Sequence, residues 1–187
     1  MIDRVYLCPE QSNAGEVCRE ACRLGVSLEI GEFAYPKVLD TDFDQALKDS
    51  LAWSQGLVYP VTLHGAFLDM YPGSPDHRVR ALARSSFEKG LEAAQALDAH
   101  LIVFHTGYNP MLRGPGRLDG WLSRTADLWT SVLDSSSYEG AVVIENMWEP
   151  SPEPMRLLCE AVNRPDFGVC LDTGHITCSP ASPSSSG

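Results

Sequence analysis

At 187 residues and 44% hydrophobic content, the chain can bury a sizeable core, which excludes wholesale disorder and points to one domain. Its formal net charge of −11 opposes non-specific attraction to nucleic acid. The start has no basic segment leading into a long apolar stretch, and no apolar run approaches membrane-spanning length. A cytoplasmic protein with no membrane partner is therefore expected. The six cysteines include no CxxC pair and fit a reducing compartment.

In chain order, Val5–Cys8 reads as a first strand and Glu10–Leu24 as a helix with Ala14, Val17, Cys18, Ala21 and Leu24 on one side. Cys18 and Cys22, one helical turn apart, read as small buried residues of that helix. Ser27–Ile30 is a second strand, and Phe43–Trp53 a helix with Asp40, Thr41 and Asp42 as candidate N-caps. Val61–Leu63 is the third strand. The turn-rich Tyr71-Pro72-Gly73-Ser74-Pro75 then opens a long helix from about Asp76 to Leu97. Leu101–Phe104 is the fourth strand, Leu118–Leu133 a helix, and Val142–Ile144 the fifth strand. Pro152–Val162 is a helix with prolines where a first turn tolerates them, and Phe167–Leu171 is the sixth strand. The arginines from Arg78 to Arg124 form no basic run and read mostly as solvated helix positions.

Four of these strands end on a metal-loving side chain: Val61-Thr62-Leu63-His64, Leu101-Ile102-Val103-Phe104-His105, Ala141-Val142-Val143-Ile144-Glu145 and Gly168-Val169-Cys170-Leu171-Asp172. Short apolar runs of this kind read as parallel strands buried on both faces. Polar residues at several successive strand ends are collected by one rim, which is where a (β/α)8 barrel carries its active site. A Rossmann-type sheet would want a glycine-rich turn after the first strand, and the residues following Cys8 offer none.

The rim residues suit metal chemistry. Glu145 can bind a divalent ion or move a proton between adjacent carbons. Asp172 and His175, separated by Thr173-Gly174, can share the rim without a helix; oxygen and nitrogen ligands together suit zinc, manganese or iron. A lone histidine on an apolar strand is more often a core residue. His64 and His105 occupy equivalent strand ends beside Glu145, which shifts the balance towards ligation. His77 and His100 lack that context and read as surface residues. Glu32 is either a substrate contact or a solvated turn carboxylate, and Trp148 either a wall over the site or a residue packed on a helix.

With these residues in place the chain resembles a known family. His64-Gly65-Ala66-Phe67-Leu68-Asp69, Phe104-His105-Thr106-Gly107, Ile144-Glu145-Asn146 and Cys170-Leu171-Asp172-Thr173-Gly174-His175 look like the xylose-isomerase-like TIM barrels. That superfamily joins sugar phosphate isomerases and epimerases with apurinic-site nucleases of the endonuclease IV type. In the isomerases the resemblance implies a divalent metal, zinc or manganese, held by Glu145 and Asp172. Glu145 is then also an acid/base and His175 a substrate contact, so these two are the catalytic candidates. The implied substrate is a small sugar or sugar phosphate. In the nucleases it implies zinc shared by His64, His105 and Glu145, with Asp172 and His175 serving further zinc ions. The loop from Phe67 to Asp76 contains no basic residue for DNA phosphates, which argues against nucleic acid. A third reading is a non-catalytic fragment that binds metal.

A full barrel takes roughly 250 residues, whereas the strand pattern here stops after six βα units. The expected organisation is an incomplete TIM barrel over 1–178 and a Ser/Pro-rich flexible tail over 179–187. The seventh- and eighth-strand ligands are then missing, and the chain alone is expected to be inactive. Open edges over an apolar interior are expected to make it self-associate.

Overall fold

Six strands and six α-helices alternate through the residues that the computed structural model describes, 4–112 and 114–178. Strand β1 (Tyr6–Leu7) leads to α1 (Ala14–Leu24), and β2 (Ser27–Ile30) to a 3-10 turn at Glu32–Ala34, a π turn at Val38–Asp42 and α2 (Phe43–Trp53). There follow β3 (Thr62–His64), α3 (His77–Ala96), β4 (Leu101–His105), α4 (Arg117–Ser135), β5 (Ala141–Glu145), α5 (Glu153–Val162), β6 (Phe167–Cys170) and α6 (Thr173–Cys178). The strands form one parallel sheet in sequential order, β1 to β6, as expected of consecutive βα units of a TIM barrel. The tail expected over 179–187 lies outside the described residues. Among the described residues no helix is long and apolar enough to cross a membrane.

Local chemistry sets the element ends. Gly25 closes α1 at φ +66°, a left-handed conformation that suits glycine. The Asp76 carboxylate caps α3 by accepting from the Arg78 N–H at 2.9 Å. Residues 10–13, expected as helix, form a turn in which the Asn13 side chain accepts from the Glu10 N–H at 2.8 Å, so α1 begins at Ala14.

The pleat divides the sheet into two unlike faces. Leu28, Ile30, Leu63, Ile102, Phe104, Val142 and Ile144 point to the helices and are fully buried. Phe87 of α3 and Trp129 of α4 stack at 4.6 Å between centroids, and Phe104 of β4 meets both rings. Gly65 is bound by this packing: a Cβ there would lie 2.2 Å from the Phe104 ring.

The register puts Tyr6, Ser27, Glu29, Thr62, His64, Leu101, Val103, His105, Ala141, Val143, Glu145, Gly168 and Cys170 on the opposite, inner face. That face is largely polar or small, which corrects the expectation of a large apolar interior. Exposed apolar residues are spread over the surface, and three of them, Val169 of β6 (49% exposed), Leu171 (64%) and Ile176 of α6, lie together at the β6 end of the sheet.

Three local expectations also change. Cys22 is exposed, its thiol reaching the Gly56 carbonyl at 3.5 Å, and Cys18 is only half-buried, because that side of α1 turns towards solvent. His100 is not a surface residue. Its Nδ1 lies 3.2 Å from the Val61 carbonyl, and its Nε2 meets the Tyr6 hydroxyl at 3.1 Å, joining β1 to the segment before β4. A carbonyl only accepts, so Nδ1 carries the proton and Tyr6 donates to Nε2. His77 is exposed, as expected.

Candidate metal centre

Parallel pairing sets the site. His105 and Glu145 are register partners on β4 and β5, Glu145 pairs in turn with Cys170 on β6, and His64 ends β3 beside Val103. One carboxylate oxygen, Glu145 Oε2, lies 3.0 Å from His105 Nε2 and 3.4 Å from His64 Nε2. Ligand atoms of His64, His105 and Glu145 all come within 4.8 Å of one another, and so do those of Glu145, Asp172 and His175. The structure thus brings all five sequence-selected residues onto one rim, with Glu145 common to two donor groups.

The donor chemistry fits a cation. His64 Nδ1 sits 2.9 Å from the Gly65 carbonyl, so that nitrogen carries the proton. A neutral ring then turns its Nε2 lone pair towards a carboxylate. The contact is attractive only if the ring is an imidazolium or a cation stands between them. Burial opposes the charged form of His64, but the Glu145 hydrogen bond, the Gly65 carbonyl and the charges of Glu145 and Glu29 outweigh it and raise its pKa. Burial likewise acts to raise the pKa of Glu145, and the two histidines reverse this and lower it. Cys170, on the same inner face, is pushed up to about 11 by burial and by the carboxylates Glu145, Glu29 and Asp172.

His175 does not sit in an open turn as expected. It lies in the first turn of α6, because the Asp172 carboxylate accepts from the His175 N–H at 2.9 Å and starts a helix there. Its ring is fixed by the Asn146 carbonyl, 2.6 Å from Nδ1. The Asn146 side chain pairs with the Asp172 peptide in both directions, donating to its carbonyl at 3.0 Å and accepting from its N–H at 2.8 Å. Glu149 ties the same loop to β4: one carboxylate oxygen accepts from the Thr106 hydroxyl and the other from the Met147 N–H at 2.7 Å.

Sequence reading passed over Asn146, Thr106, Glu149 and Glu29. Glu29 was legible, since fully buried Leu28 and Ile30 on either side force it inward by the strand period. Burial raises its pKa, His64 opposes that rise, and the Glu145 charge adds to it. Glu32 belongs to neither donor group; burial, then the charge of Asp49, raises its pKa. Trp148 is 56% exposed rather than buried against a helix. Arg80 and Arg124 are not simply solvated: they donate to the Ser74 carbonyl at 2.7 Å and the Gly73 carbonyl at 2.8 Å, pinning the loop after β3.

A parallel sheet in sequential order, with polar side chains gathered at the strand ends, is the arrangement of consecutive units of a (β/α)8 barrel. The chain belongs to the xylose isomerase-like TIM barrel family, whose model matches residues 28–183. It is 26% identical over 126 residues to an uncharacterised protein of Methanocaldococcus jannaschii, covering 62% of this chain and 41% of that protein. Among solved structures it resembles the TTHB071 protein of Thermus thermophilus, from a crystal soaked with ZnCl2. The TM-score is 0.74 and the identity 26%, over 91% of this chain and 66% of that one. It also resembles D-psicose 3-epimerase with D-tagatose from Clostridium cellulolyticum H10, at a TM-score of 0.70 and 19% identity, over 94% and 63% of the two chains. The chain therefore spans less than two thirds of the length of each of these three proteins.

Proposed function

We propose that this chain carries the metal-binding part of a sugar isomerase/epimerase-like active site, acting on a small sugar or sugar phosphate. The observation that carries the reading is Glu145, shared by two groups of metal-capable donors on one rim. Family membership supports it, as does the resemblance to a sugar epimerase. Glu145 and Asp172 would hold a divalent ion, zinc or manganese, and His64 and His105 would be available as further donors. Such an ion supplies Lewis-acid polarisation of a sugar oxygen. Glu145 would move the proton between adjacent carbons, and His175, with Nδ1 bound to the Asn146 carbonyl, would offer Nε2 to a substrate hydroxyl. The isomerase pattern adds ligands from a seventh and an eighth strand, which the six described strands do not include. Metal binding without sugar turnover is therefore proposed for this chain by itself.

A second reading, a zinc phosphodiesterase of the endonuclease IV type, is favoured by one observation. His64, His105 and Glu145 form a group of three donors that could hold zinc, and a Glu145–Asp172 metal does not require the two histidines. The charge of −11 and the absence of basic residues from 67 to 76 weigh against it.

Metal content of the purified protein, with activity panels of ketoses, ketose phosphates and abasic-site DNA, tests both. Zinc or manganese in the wild type and its loss in Glu145→Gln are expected. Negligible metal in both proteins refutes the metal site, and cleavage of abasic DNA by the wild type replaces the first reading with the second.

A further inference from the structure

We propose that Asn146 is the positioning residue of the Asp172–His175 half of the centre, an inference that rests on the metal-site reading. Asn146 immediately follows Glu145 and is 9% exposed. Its side-chain amide makes two opposed hydrogen bonds to one residue's backbone, donating to the Asp172 carbonyl at 3.0 Å and accepting from the Asp172 N–H at 2.8 Å. Only one orientation of the amide satisfies both bonds, so the side chain is locked. The pair extends the β5–β6 ladder one step beyond Glu145 and Cys170, the last register partners. Asp172, two residues beyond the Cys170 that pairs with Glu145, is thereby held against the end of β5, and its carboxylate in turn starts the helix that bears His175.

The main chain of the same residue acts on the imidazole. A carbonyl cannot donate, so the 2.6 Å contact to His175 Nδ1 requires the proton on that nitrogen. The neutral ring then carries its lone pair on Nε2 and is held in one orientation. Fixing the tautomer and plane of a ligating histidine through its other nitrogen is what outer partners of metal sites do, and their loss costs about 10- to 100-fold in metal affinity. Asn146 performs this for His175 and orders the Asp172 backbone as well. His64 takes its proton partner from Gly65 instead, so the orientation of that ring does not depend on Asn146.

The prediction is a coupling pattern rather than a simple loss. Zinc affinity, measured by competition with a chromophoric chelator, should fall about 10- to 100-fold in Asn146→Ala. The loss should shrink when Asp172→Ala is already present, because the carboxylate those bonds place is then gone, and persist in full when His64→Ala is present. A residue that merely stabilised the sheet would give the same loss in every background, and that result overturns the proposal, as does unchanged affinity in Asn146→Ala. Asn146→Asp, which keeps the acceptor oxygen and removes the donor to the Asp172 carbonyl, serves where the alanine variant does not fold. Imidazole nitrogen NMR of the metal-free protein, at a pH where the rings are neutral, separates this proposal from the metal reading. Asn146→Ala keeps the residue-146 carbonyl but loses the two side-chain bonds that hold the Asp172–His175 segment against it, so His175 should show a single Nδ1–H tautomer in the wild type and a mixture in the variant. If the wild type binds no zinc, the metal reading fails while the tautomer still decides the role of Asn146. A mixed tautomer in the wild type, or an unchanged one in the variant, refutes that role.

Discussion

Glu145 Oε2 meets two imidazole nitrogens at once, and the opposing titrations of Glu145 and His64 give the site a signed dependence on pH. The His64 pKa is raised above its ordinary 6.5, so the metal-free fold gains stability from the imidazolium below about 6.5 and loses it as pH rises through the raised value. The Glu145 pKa is lowered below its ordinary 4.5. Its contribution is therefore present above about 4.5 and fades as pH falls towards the lowered value. Metal-free protein should be most stable in the mildly acidic window between these ordinary values. Zinc competes with the His64 proton, so its affinity should rise as pH passes above 6.5, and saturating zinc should move the stability maximum upward. Thermal melts from about pH 4 to 9 with and without zinc check this. A maximum that stays in place when zinc is added would refute it.

A second residue-scale prediction concerns Gly65. The Phe104 ring occupies the space a Cβ would need, and Phe104 is wedged between Phe87 and Trp129. Gly65→Ala should cost about 1–3 kcal/mol by overpacking, read from the urea midpoint. The displacement would also reach His64, whose Nδ1 partner is the Gly65 carbonyl, so zinc binding should weaken along with stability.

At the scale of elements, α3 and α4 are held to the sheet chiefly by aromatic packing. Trp129 is fully buried, stacks on Phe87 and touches Phe104 and Phe167. Trp129→Ala should cost about 3–5 kcal/mol, while Trp129→Phe keeps part of the stack and should cost less. Equal and small losses in both variants would mean that the cluster does not anchor these helices. The strands were legible because each is a short apolar run, and their rim was legible because His64, His105, Glu145 and Asp172 close those runs. Helix α6 was not read, although its signal lay in the text: Asp172 stands three residues before His175 and caps its N–H. The roles of Asn146, Thr106 and Glu149 could not be read, because each partner sits at the end of a different strand. His100 was missed for the same reason, since Tyr6 is distant in sequence and only the curved sheet brings the two rings together.

For the whole molecule, the consequential feature is a parallel sheet with no described partner on the outer side of β1 or β6. Unpaired strand edges expose rows of N–H and C=O groups that can pair with another chain. Beside the β6 edge, Val169, Leu171 and Ile176 add exposed apolar surface. The inner face offers less to such an encounter, because Glu29, His64, His105 and Glu145 make it polar. Self-association of the 187-residue chain is therefore expected to run through β6. It should appear as a concentration-dependent rise in mass by sedimentation, and Val169→Lys, which puts a charge beside the edge, should reduce it without altering zinc binding. A monomer across the full concentration range would show that the β6 edge is protected. A self-association that Val169→Lys leaves untouched would place the contact elsewhere.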